Sequence, residues 1–177
     1  MEFAKEAGMP AVNDEDLLLA LLNSAPIEAG RMTDQLASDV GSDLALRLGG
    51  TGSDAEAARL RATRSALHVI VRGSVGVREA TRELSAILDS TVLEPRVTNR
   101  GVDWEVQAPA DDRLAARVVL AWSSVEKQFP GRLRPCANSE CNLFLLDHSR
   151  PGTAKWCSMA ACGNRMKARS YASRARG

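Results

Sequence analysis

Through residue 129 the apolar positions recur mainly at intervals of three and four, the spacing of one helix face. After a lead-in over the first dozen residues, Asp14 is placed to cap a short helix, Glu15 to Leu22, stopped by Asn23, Ser24 and Pro26. Residues 33–48 give a second helical region capped by Thr33, and the run Gly49, Gly50, Thr51, Gly52 closes it as a loop. That run lacks the lysine and preceding strand of a phosphate loop. Ser53 and Glu56 form a capping box that opens the longest helix, 54–72. Another helix spans 77–89. The period then changes to two: residues 92–98 and 102–107 predict a β-hairpin with Val102, Trp104 and Val106 on one face. Pro95 marks the first strand as an edge. A last long helix, from Asp111, aligns Leu114, Val118, Trp122, Val125 and Phe129 as a core stripe, and Pro130 and Gly131 end it.

Beyond that hinge the pattern is set by cysteines. All four, Cys136, Cys141, Cys157 and Cys162, lie in the last third of the chain, as two C-x4-C pairs around an insert. Two thiol pairs on short turns can close a tetrahedron around one metal ion. Zinc suits four thiolates, which leave it no open position. Two disulfides or an iron centre are the alternatives, and the lack of a secretory signal or membrane run weighs against disulfides. Residues 142–147 predict a strand, Ser149 to Gly152 a turn, and Lys155 to Cys157 the return strand. Ser158 then caps a helix that carries Cys162 near its start and continues through Arg176. The fold class is therefore α+β, mainly α. A helical part with one hairpin occupies residues 1–130, and a treble-clef-like module with one structural zinc ion occupies 131–177.

The tetrapeptide Cys162, Gly163, Asn164, Arg165, with Lys155, Trp156 and the run Leu145 to Arg150 before it, resembles the CGNR zinc-finger family. The four cysteines match that family's metal ligands. The resemblance implies a DNA-binding, stress-induced transcription regulator of bacteria in which a helical domain called ABATE precedes the finger. Leu19 to Ser24 and Leu60 to Ile70 are similar to segments of that domain, although Ala20 stands where an acidic residue is expected. The first 130 residues would then sense a small-molecule effector or mediate formation of a homodimer.

Charge sharpens the picture. Residues 1–125 carry 13 Lys and Arg against 19 Asp and Glu, whereas residues 126–177 carry 10 against 3. A basic excess of seven after an acidic stretch points to an anionic partner, even after two charges are set against a zinc–tetrathiolate centre. Arg165, Arg169 and Arg176 fall along one side of the last helix, Lys167 and Arg174 beside them, with Arg150 and Lys155 on the insert. These seven are the candidate nucleic-acid contacts, and double-stranded DNA is the expected partner. Arg132 and Arg134 would extend the basic surface. Arg59, Arg61, Arg64 and Arg72 read as a solvated face, or as the lining of an effector pocket. No catalytic residue is expected: a closed sulfur site cannot activate water, and His68 and His148 have no nucleophile beside them. Reduced cysteines place the chain in the cytoplasm, at the nucleoid when bound to DNA. An RNA target, a protein-interaction adaptor and a thiol-based redox sensor are the other functional classes open to the same residues.

Overall fold

The computed structural model describes residues 12–174 apart from 29 and 38. The lead-in before Val12, and Arg176, lie outside the described residues. The described chain is mainly helical with three two-stranded sheets, the α+β class expected. In order these are α1 (Asp14–Leu22), β1 (Ile27–Glu28), β2 (Arg31–Met32), α2 (Asp39–Arg47), α3 (Asp54–Arg72), α4 (Val77–Leu88), β3 (Val92–Thr98), β4 (Gly101–Gln107), α5 (Ala110–Gln128), β5 (Leu133–Pro135), β6 (Phe144–Leu146) and α6 (Asn164–Arg174), with a π-helical turn at Met159–Gly163 before α6.

Local chemistry accounts for most boundaries. The cap of α1 is Asn13 rather than Asp14: its Oδ1 accepts from Asp16 N at 2.8 Å, and the three acidic residues that follow sit where the helix dipole favours them. Ser53 accepts from Glu56 N at 3.0 Å, as the capping box requires. Its partner departs from the usual pattern. The buried Glu56 carboxylate turns into the glycine loop and accepts from the amides of Thr51 and Gly52, each at 2.8 Å. The second helix is shorter than residues 33–48 because Thr33 donates its amide to Pro26 O, closing the small β1–β2 hairpin. Two residues per strand are too few for the period-two signal to show.

Helices α1, α3 and α5 pack on one another, with α4 against α3 and α5. Leu17, Leu18, Leu21 and Leu22 of α1 meet Leu60 and Leu67 of α3 and Leu114, Val118 and Val125 of α5. The core does not stop at Pro130. Leu133, Phe144 and Leu146, from the β5–β6 pair, belong to the same buried cluster, and Phe144 is among its largest fully buried side chains.

Two asparagines tie the segments across that boundary. Asn23 donates from Nδ2 to Phe144 O and accepts Phe144 N on Oδ1 (3.2 and 2.8 Å). Asn142 does the converse, donating to Ala25 O at 2.6 Å and accepting Ile27 N at 3.0 Å. A carboxamide offers one donor group and one acceptor, so each can satisfy a backbone strip that would otherwise be unpaired.

The arginines of α3 divide: Arg59 and Arg72 are exposed, as their spacing suggests, whereas Arg61 and Arg64 turn inward. Arg64 is buried, pairing with both oxygens of Asp34 at 2.8 Å and donating to Ser24 Oγ. Arg61 donates to Leu36 O, Arg59 pairs with Asp112, and Arg72 donates to Asn142 O while lying 4.7 Å over the Phe144 ring. The Arg64 guanidinium beside Asp34 holds that carboxyl below its ordinary value. A bidentate pair of this kind offsets the cost of taking charge out of water, and it pins the loop after β2 to α3.

Candidate metal centre

Cys136 leaves β5 and its amide donates to Leu143 O, which closes a knuckle of backbone around the first ligand pair. Within it, Cys141 N donates to Asn138 O at 2.8 Å. The second pair comes from the segment 153–163. The return strand expected at Lys155 to Cys157 is absent: β6 pairs with β5, in the register Leu133 to Leu146 and Pro135 to Phe144. The segment is held instead by Ala137 N donating to Lys155 O and by the buried carboxylate of Asp147. Asp147 accepts from Ser149 N, Ser149 Oγ, Ala154 N and Arg134 Nη2, fixing the turn that brings Cys157 back. Hydrogen bonding from Ser149, opposed by burial and aided by Arg134, keeps the Asp147 carboxyl below its ordinary value. Arg132 donates to Ser149 O at 2.7 Å, so Arg132 and Arg134 serve this turn rather than an outer basic surface.

Ser158 caps the π-helical turn by accepting from Ala161 N. In an α-helix, residues five apart are about 140° apart around the axis, too far to share a ligand. Here Gly163 N reaches back five residues to Ser158 O, and the wider turn carries Cys162 round towards Cys157. Space at Gly163 is tight: a Cβ there would lie 3.2 Å from Trp156 Cδ1 and 2.7 Å from Met159 Sδ, the latter at the end of a flexible, exposed side chain.

The four sulfurs converge, all lying within 4.8 Å of one another. Cys141 and Cys157, and Cys157 and Cys162, are 3.7 Å apart. Zinc–sulfur bonds of about 2.3 Å in a tetrahedron place neighbouring sulfurs about 3.8 Å apart, so the cage has the size of a zinc site. No disulfide links them. Asn138, fully buried, donates from Nδ2 to Cys162 Sγ at 3.4 Å while its Oδ1 accepts Glu140 N, and Cys157 N points at Cys136 Sγ at 3.5 Å. Such donors orient thiolates and spread their charge. Burial pushes the thiols of Cys141 and Cys157 up. Burial also acts against Cys162, but the Asn138 amide and neighbouring thiols bring it below its ordinary value. A divalent cation supplies the charge that lets all four ionise.

Residues 132–175 match the family model of the CGNR zinc finger. The match spans the last quarter of the chain, and the four cysteines in it hold one structural zinc ion per chain. No curated protein matches the chain. When bound, the ion supplies folding energy and cross-links knuckle to helix; with four sulfur ligands it keeps no position for substrate. His148 takes no part, since its Nε2 meets Glu15 Oε1 at 2.7 Å and its ring stands edge-on to Phe129.

The seven basic residues singled out from sequence are not one surface. In the finger's helix α6, Arg165 and Arg169 are one turn apart and line a cleft of about 810 Å³ with Cys141, Cys157, Ile27 and Leu143. Lys167 and Arg174, two turns apart, fall on the opposite side of α6 from Arg165, not beside it. Arg169 Nη2 is held by both oxygens of Glu140, at 2.7 and 2.6 Å, and Arg174 lies 5.0 Å over the Tyr171 ring. Arg150 and Lys155 are exposed on the insert, and Arg176 lies outside the described residues. Among the described residues no helix is long and apolar enough to cross a membrane.

Proposed function

We propose that the finger binds double-stranded DNA through α6 and that the chain is a transcription regulator. The observation that carries this reading is the position of α6. It packs on the π-helical turn that precedes it and pairs through Arg169 with Glu140, and its residues 164–171 are exposed apart from Met166. It carries Arg165, Lys167, Arg169 and Arg174 and no acidic residue. A helix with no apolar stripe gains nothing from burial in a protein core. It suits a polyanion, whose phosphates each take one cation and whose base edges accept from guanidinium groups. The zinc site supports the reading because Cys162 would anchor the π-helical turn that leads into α6.

The test uses the full zinc-loaded chain, a pool of genomic DNA fragments, and sequencing of what is retained. Enrichment of a shared sequence, with affinity falling steeply as salt rises, is the expected result. Affinity no greater than that of an unrelated basic peptide at physiological salt would overturn the reading.

A further inference from the structure

In the β3–β4 ribbon the sequence pattern and the surroundings disagree. Its register pairs Leu93 with Val106, Pro95 with Trp104 and Val97 with Val102, so three tiers of apolar residues share one face without a charge among them. The other face carries Glu94, Arg96, Asp103 and Glu105, with Arg96 paired to Glu105. Such alternation belongs to a strand with one face buried. Here Val106 packs against the core, but Val97 is 87% exposed, Trp104 63% and Val102 53%. A ribbon of seven-residue strands reaches roughly 23 Å, and two strands alone are marginally stable in water.

We propose that this apolar face is the contact through which two copies of the chain form a dimer, the ribbons stacking face to face about a two-fold axis. With an axis through the middle tier, Pro95 and Trp104 of each copy meet the same pair of the other. The tip tier, Val97 and Val102, then reaches Leu93 of the foot tier, which is 42% exposed, while Val106 beside it stays on its own core. The ribbon is thus complementary to itself in length and in chemistry. Area agrees: with Trp104 as the largest member, the face presents on the order of 500 Å² per copy. Two copies then bury about 1,000 Å² in total, the lower bound for a specific interface. Stacking is favoured over edge-to-edge addition, because Pro95 removes a donor from β3 and charged side chains flank the ribbon. An acidic or nucleic-acid partner finds no charge on this face. The proposal is independent of what α6 binds.

Sedimentation of the full zinc-loaded chain at tens of micromolar tests it. The expected mass is twice 19.0 kDa. Val97→Lys, at the exposed tip, and Trp104→Glu should each give a monomer with unchanged zinc content and circular dichroism. Val92→Lys, on the opposite face and itself 63% exposed, should leave the dimer intact. If Trp104→Glu fails to fold, Val97→Lys decides alone. A monomeric wild type, a dimer that survives Val97→Lys, or one that Val92→Lys also dissociates would each overturn the proposal.

Discussion

The rings of His68 and Phe144 lie 4.5 Å apart and tilted by 44°, joining the C-terminal part of α3 to a strand of the zinc finger. Arg72 covers the same phenyl ring, and Leu133 and Leu146 flank it in the shared core. Phe144→Ala is therefore expected to cost about 3–5 kcal/mol, the range for a buried Phe. Urea unfolding followed by circular dichroism should show one transition moved to lower denaturant. A helical signal that stays at the wild-type midpoint would show two independent cores.

The same His68 makes stability depend on pH. Burial lowers its pKa below the ordinary 6.5, opposed by the bond to Leu22 O, so the folded chain favours the neutral ring. A depressed histidine pKa means that the unfolded chain binds the proton more readily. The stabilisation is whole above 6.5 and is lost as pH falls through 6.5 towards the folded value. Urea midpoints should thus drop between pH 7.5 and 6, and drop less in His68→Gln, which retains a donor for Leu22 O. Equal drops in both would assign the dependence to another group.

Asn138 is expected to govern zinc retention without being a ligand. Replacing it by Ala removes the donor to Cys162 Sγ and the acceptor for Glu140 N. Loss of a partner of this kind weakens metal binding by about 10–100-fold. Competition with a chromophoric chelator would measure it, with one zinc per chain released in wild type and variant alike. Asn138→Ala with unchanged zinc affinity would assign the bond to packing alone.

Glu140 holds Arg169 in an ion pair that a phosphate would have to break. If the proposed DNA contact holds, Glu140→Gln should release that guanidinium and steepen the plot of log affinity against log salt by about 0.9. Arg169→Ala should leave the wild-type slope nearly unchanged, while Lys167→Ala lowers it. A Glu140→Gln variant that binds more weakly would show instead that the pair serves to aim α6.

The cysteines were legible in sequence because metal ligation demands both a residue type and a spacing. The long helices and the β3–β4 ribbon were legible because their periods are sustained. Strand pairing was not: period two marks residues 144–146 as a strand but does not say that its partner precedes it at 133–135. Nor was the fate of the charges. Arg64 sits in a row with Arg61 and Arg72, and only Asp34, brought in from a distant loop, makes it a buried residue. Asn138 and Asp147 act through partners that the fold supplies, so their types alone carried no signal. Ser158 was read correctly as a cap, but the π-helical closure behind it was not, since no residue type marks it.

The Asn23 and Asn142 clasps bear on how this finger could be recombined. Zinc makes a small finger look like a portable cassette, grafted by joining ends. In this chain the backbone of β6 is completed by a side chain from 121 residues earlier in the sequence, and the finger in turn bonds Ala25 and Ile27. A transplanted segment 132–175 would bring its metal cage but leave that edge unpaired in the new host. Fusions that carry residues 23–27 along, or that supply a carboxamide in the same place, are the ones that should keep the geometry of α6.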